Sequence, residues 1–164
     1  MVAELDVATA IARRVALTLS AAGVGVTPAS IEPLQVVRYR SGEAFAAHHD
    51  YHVTEATSVQ GEQRAWTALL YGSTLDANDG GATHFPLLNI SVWPRAGDAL
   101  LWSNVNLDGS PNPASLHAGL PPSGDKEKVA INVWVADRPF ETHTLERALR
   151  LGVRPGPGGS PTPS

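Results

Sequence analysis

The spacing of hydrophobic positions changes once along the chain. Between residues 5 and 22, Leu5, Ala8, Ala12, Val15, Leu19 and Ala22 fall on one stripe with Ile11 beside it, and Gly23 follows as a stop. That is the period of an amphipathic helix. Pro28 and Pro33 then bracket a loop. From Leu34 onward the apolar residues come in short runs broken by Gly, Pro, Asn and Asp, which predicts strands over residues 34–40, 44–52, 64–71, 90–94, 99–103, 114–118 and 128–136. A series of short strands of this kind builds a sandwich, a barrel or a jelly roll. A short helix is predicted over residues 145–151. Residues 154–164 are mostly Pro, Gly and Ser and are predicted to be a disordered tail. The expected organisation is one domain over residues 1–153, with the helix at 5–22 and the β core at 34–136.

Composition narrows the chemistry. With 164 residues, 43% of them hydrophobic and 17% charged, the chain can bury a core and lacks the signature of disorder. A net charge of −4 gives no general attraction for nucleic acid or anionic membrane, and no nucleic-acid partner is expected. The absence of cysteine excludes disulfides, thiolate zinc sites, iron–sulfur clusters and cysteine nucleophiles. No apolar run reaches the roughly 18 residues of a membrane helix. Glu4, Asp6, Arg13 and Arg14 interrupt the first stretch, so no signal peptide is expected, and the compartment stays open.

The densest concentration of reactive side chains is Ala47-His48-His49-Asp50-Tyr51-His52. In a strand, His48 and Asp50 share a face, which sets an imidazole beside a carboxylate. His117, in Ser115-Leu116-His117-Ala118-Gly119, is the best third ligand. Two histidines and one carboxylate form the facial triad of non-haem iron(II) oxygenases, which leaves coordination positions for a bidentate 2-oxoacid and dioxygen. His52 shares the predicted face with His48 and Asp50, so a local zinc site is the competing arrangement. His49 faces the other way, as a surface or substrate-side residue, and His84 and His143 read as polar surface. In the last strand Val129, Ile131, Val133 and Val135 form an aliphatic face, opposite Lys128, Ala130, Asn132 and Trp134. The second face suits a cavity. A lysine there needs an anionic partner, which a dicarboxylate ligand supplies; an edge strand with a solvated face is the alternative.

Taken in order, these segments resemble the prolyl 4-hydroxylase family. Leu34-Gln35-Val36-Val37-Arg38-Tyr39, then Gly42, Phe45 and His48-x-Asp50, resemble the start of its catalytic core. Arg64 to Tyr71 resembles the next strand, Gly80-Gly81-Ala82-Thr83-His84-Phe85-Pro86 its Gly-Gly-Glu-Thr turn, and Pro94-Arg95-Ala96-Gly97-Asp98-Ala99-Leu100-Leu101-Trp102 its Pro-x-x-Gly-x-Ala-Leu strand. His117, Lys128, Asn132 and Trp134 complete the pattern.

The resemblance implies a mainly β fold with flanking helices, built on a double-stranded β-helix (a cupin-like jelly roll). It implies iron(II) on His48, Asp50 and His117, and Lys128 paired with the distal carboxylate of 2-oxoglutarate. Tyr39, Tyr71 and Thr83 are then hydrogen-bonding neighbours of that carboxylate, and Trp134 a wall of the pocket. Dioxygen is the second cosubstrate and ascorbate the reductant. The implied reaction converts 2-oxoglutarate to succinate and carbon dioxide while hydroxylating an unactivated C–H bond, C4 of peptidyl proline. The partner would be a proline-rich peptide or protein lying extended across the pocket mouth, with Arg64, Tyr51, Trp66 and Trp102 as contacts and residues 53–63 as a lid. Three features depart from the family pattern. Ala82 replaces its glutamate, Lys126 rivals Lys128 for the cosubstrate although Lys128 has the better strand face, and little precedes the core. Competing readings are the same chemistry on another amino acid or a small molecule, a cupin-like zinc protein without oxygenase activity, and an inactive module that holds proline-rich partners.

Overall fold

The computed structural model describes residues 2–52 and 62–140. The predicted helix at 145–151, the predicted tail, His143 and most of the predicted lid lie outside those residues. Helix α1 spans Val2–Ala21. It ends in a Schellman motif: Gly23 has φ of 84°, Val24 N donates to Leu19 O at 3.0 Å and Gly23 N to Ser20 O at 3.0 Å. Ala22, expected on the buried stripe, follows the last helical residue and is exposed, while Ala16 is buried with Val15 and Leu19.

Eight strands follow: β1 (Gln35–Tyr39), β2 (Phe45–His48), β3 (Arg64–Tyr71), β4 (Thr83–Phe85), β5 (Ile90–Val92), β6 (Ala99–Ser103), β7 (His117–Gly119) and β8 (Lys128–Ala136). They form two four-stranded antiparallel sheets, β1-β8-β3-β6 and β2-β7-β4-β5, the two layers of a jelly roll. Both faces of β8 are occupied. Val133 and Val135 pack with Ile31, Ala68 and the α1 residues Val15, Ala16 and Leu19, with Ile131 alongside. Lys128, Ala130, Asn132 and Trp134 face the cleft between the sheets, as the alternation predicts.

The minor sheet departs from expectation. The strand predicted over 44–52 stops at His48, and its pairing with β7 shifts register between Phe45 and His48. Asp50 therefore sits in a bend, not on a strand face. The strand predicted over 114–118 begins only at His117, because Pro113–Ser115 is a 3-10 turn whose Ala114 N donates to the Asn112 side chain at 3.0 Å. Strand β4 was not predicted at all, its residues having been read as part of a glycine turn. It pairs with β5 and β7. The predicted strand 90–94 is confined to β5.

Candidate active site

The cleft between the sheets gathers the residues that the sequence singles out. His48 closes β2, His117 opens β7, and the two are register partners. The bend after β2 turns Asp50 back between them. One ligand atom from each of the three lies within 4.8 Å of the others. His48 Nε2 is 3.6 Å from Asp50 Oδ1, and His117 Nε2 is 3.7 Å from Asp50 Oδ2.

The tautomers follow from the backbone. His48 Nδ1 lies 2.8 Å from Ala46 O and His117 Nδ1 2.9 Å from Ser115 O. A carbonyl only accepts, so each Nδ1 carries a proton and each Nε2 is directed at the centre. Burial pushes the His117 pKa down, which favours the neutral ring and a lone pair on Nε2. Burial raises that of Asp50, but the neighbouring His48, His117 and Thr67 outweigh it and hold the carboxyl at about 2. Two imidazole lone pairs and a carboxylate aimed at one point fit a divalent cation.

Lys128 stands at the start of β8 with 2% of its surface exposed. Its Nζ donates to Thr83 Oγ1 at 3.2 Å and Ala82 O at 3.4 Å. Burial lowers its pKa to about 8. Among the described residues no carboxylate pairs with it. Tyr71 also donates to Thr83 Oγ1, at 3.0 Å, so the threonine's own proton is left for another acceptor. Tyr39 lines the same end of the cleft, with its ring centroid 5.7 Å from Lys128 Nζ. Burial raises the pKa of both tyrosines, which keeps them as donors. A buried cation ringed by hydroxyls fits a carboxylate ligand. Trp134 Nε1, buried without a hydrogen-bond partner among the described residues, adds a further donor to the cleft wall. Lys126 is half-exposed and pairs with Asp79 at 3.4 Å, away from the cleft.

The remaining expected contacts divide. Arg64 lines the cleft, but its guanidinium makes a two-pronged bond to Glu32 (2.6 and 2.7 Å) and lies 3.7 Å over the Trp134 ring. Tyr51 stacks on His49 at 4.6 Å, and His49 meets Ser115 Oγ at 3.2 Å. Trp102 packs edge-on against His117, while Trp66 packs on the α1 side of the major sheet. His52 lies outside the triad, its backbone amide and carbonyl held by the Gln63 side chain. His84 bonds across the β4–β5 hairpin to Ser91 Oγ at 2.9 Å. Sequence reasoning missed Glu32, Thr67 and Asn104. The one signal was a lone threonine inside the apolar run of β3.

Comparison with known proteins agrees with this geometry. The profile of the 2OG-Fe(II) oxygenase superfamily matches residues 34–136. The chain belongs to that superfamily. Prolyl 4-hydroxylase 5 of Arabidopsis thaliana is 34% identical over 134 residues, covering 70% of this chain and 43% of the relative. Probable prolyl 4-hydroxylase 3 of the same plant is 38% identical over 109 residues, covering 55% of this chain and 37% of the relative. The chain thus spans less than half the length of these curated relatives. Among solved structures, the viral collagen prolyl hydroxylase of Paramecium bursaria Chlorella virus-1, in its 2OG complex, superposes with a TM-score of 0.57 at 28% identity, over 65% of this chain and 58% of the viral one. Superfamily membership accords with the two-sheet jelly roll and with the use of iron(II), 2-oxoglutarate and dioxygen. No described helix is long and apolar enough to cross a membrane.

Proposed function

We propose that this chain is an iron(II)- and 2-oxoglutarate-dependent dioxygenase that hydroxylates C4 of peptidyl proline. The observation that carries the reading is the pairing, within one cleft, of a converged His48–Asp50–His117 donor set with a buried lysine that has no counter-ion among the described residues. A zinc protein without cosubstrate has no use for Lys128, whose desolvation is a net penalty until an anion arrives. The prolyl 4-hydroxylase names of the relatives favour proline among possible substrates.

In this reading His48, Asp50 and His117 hold iron(II). Lys128 and Thr83 bind the distal carboxylate of 2-oxoglutarate, with Tyr39 beside it and Tyr71 acting through Thr83. Trp134 closes the pocket wall and offers its Nε1–H. Iron(II) held there would activate dioxygen, the oxidant, for C–H hydroxylation, with 2-oxoglutarate going to succinate and carbon dioxide. The protein's share is orientation: Lys128 fixes the far end of the cosubstrate, and the register partnership of β2 with β7 fixes the near end. A proline-rich peptide would lie extended across the mouth, where Tyr51 and His49 offer a stacked aromatic pair and Arg64, held by Glu32, a rigid border. Trp102, considered as a contact from sequence, suits support of His117 better. Ascorbate as reductant belongs to the same proposal.

The test is anaerobic titration with iron(II) and 2-oxoglutarate, followed by assay of succinate and hydroxyproline with a poly-proline peptide, with and without ascorbate. A visible charge-transfer band and peptide-stimulated succinate are expected. No band and no succinate would reject the dioxygenase. A band with succinate but no hydroxyproline would move the substrate to another class.

A further inference from the structure

Behind Asp50 runs a chain of hydrogen bonds, from Trp102 through Asn104 and Thr67 to the carboxylate. Thr67 Oγ1 donates to Asp50 Oδ2 at 2.7 Å. Asn104 Nδ2 donates to Thr67 Oγ1 at 2.8 Å. Trp102 Nε1 donates to Asn104 Oδ1 at 2.9 Å. Thr67 and Asn104 are each 0% exposed, so water does not compete for these bonds.

The direction of the chain is forced at every link. An indole N–H can only donate, so the atom of Asn104 facing Trp102 is its amide oxygen, and its NH2 faces Thr67. The Thr67 oxygen therefore receives a proton from Asn104, and its own hydroxyl proton is left for the carboxylate, which only accepts. The backbone holds the middle of the chain still: Asn104 N donates to Ala65 O at 2.8 Å and Asn104 O accepts from Asn112 N at 2.9 Å. The Trp102 ring lies edge-on to His117 with centroids 4.8 Å apart, so the chain starts against one triad member and ends on another. The other oxygen, Asp50 Oδ1, faces His48 Nε2 at 3.6 Å, toward the centre of the triad.

We propose that Trp102, Asn104 and Thr67 are positioning residues that keep Asp50 a one-oxygen ligand. The Thr67 proton on Oδ2 fixes the carboxylate's rotation and draws charge from that oxygen, which leaves Oδ1 the better donor to the cation. The consequence is chemical. A carboxylate gripping the metal through both oxygens would take a fourth coordination position, leaving too few for a bidentate 2-oxoacid together with dioxygen. The inference rests on the metal reading of the triad given above.

The experiment titrates the full chain with cobalt(II) anaerobically, following visible d–d absorption, with unfolding midpoints of the metal-free proteins measured in parallel. Thr67→Val, equal in shape, is expected to weaken cobalt affinity roughly ten- to a hundredfold and to shift the spectrum as the carboxylate is freed to chelate. Thr67→Ser is expected to restore both. Asn104→Leu, which leaves the Thr67 hydroxyl unanchored, is expected to fall between. The double variant Thr67→Val/Asn104→Leu is expected to bind no more weakly than Thr67→Val alone, because both break one chain. Wild-type affinity and spectrum in Thr67→Val, failure of Thr67→Ser to rescue, or full additivity would each overturn the relay. If Thr67→Val does not fold, Asn104→Leu with the wild-type spectrum and affinity overturns it. A lowered unfolding midpoint with unchanged cobalt binding would mark a purely structural role and overturn it too. Wild-type protein that takes up no cobalt removes the metal reading itself, and the relay with it.

Discussion

The two sheets divide support and chemistry unequally. In the major sheet, β3 has 8 residues and β8 has 9; they pair along most of their length and are backed by α1. In the minor sheet, β2 has 4 residues and β4, β5 and β7 have 3 each. Yet the three donors of the triad all come from the minor sheet or the bend that leaves it, while the long sheet contributes the lysine. Short strands can hold ligands accurately because their ends are fixed from outside. The backbone carbonyls of Ala46 and Ser115 set the two imidazoles, and Thr67 reaches across from β3 to set the carboxylate. Local strand stability is therefore a poor guide to where chemistry sits.

If the minor sheet carries the chemistry, His117→Ala should abolish metal uptake and lower turnover at least roughly a thousandfold, about 4 kcal/mol of barrier, while the metal-free protein still folds. Metal titration and circular dichroism check this, and retained uptake would break the division. The converse holds on the other side of the major sheet. Leu19→Ala should cost about 3 kcal/mol of stability by leaving a cavity, with metal affinity in the folded protein unchanged; chemical denaturation beside cobalt titration tests both halves.

Lys128→Met sharpens the boundary between the two ends of the cleft. Its affinity for 2-oxoglutarate should fall about a hundredfold, with metal affinity retained. The protein without cosubstrate should gain about 2 kcal/mol, because an unpaired buried charge is removed. The pH dependence has a definite sign. The folded pKa of about 8 lies below the ordinary 10.5, so the unfolded chain holds a proton that the folded one releases. The penalty is full below about 8 and fades as pH rises toward 10.5, so this lysine's effect on stability becomes less unfavourable across that window. Affinity for 2-oxoglutarate runs the other way, weakening as pH climbs past about 8, which calorimetry at several pH values would reveal. Lys126→Ala should do least: under about 0.5 kcal/mol of stability and no change in cosubstrate affinity, since its bond to Asp79 is exposed.

Much of this was legible in the chain because it depends on local period. The helix stripe of Val15 and Leu19, and the alternation that sends Lys128, Ala130, Asn132 and Trp134 to one side of β8, follow from side-chain geometry along a single element. The limits of β3, β6 and β8 could be read residue for residue, since long apolar runs between turn formers leave few alternatives. Where period was assumed too far, it misled. His48 and Asp50 meet not because they alternate on a strand but because the strand ends and the chain bends. His52, two residues further on, accordingly leaves the group. Strand β4 was hidden because three residues between glycines and a proline carry too little pattern.

What the sequence determined alone was therefore the inventory: a helix and β core, an HxD pair, a distant histidine and a lysine on an inward face. Only the tertiary structure decided which of these meet. It joined His117 to the pair across the β2–β7 register, tied Arg64 to Glu32, sent Lys126 to Asp79 and ran Trp102, Asn104 and Thr67 to Asp50. The physical reason is range. Periodicity acts over neighbouring residues, whereas these contacts, apart from the local Trp102–Asn104 link, join residues 17 or more apart and exist only once both sheets have closed on the cleft.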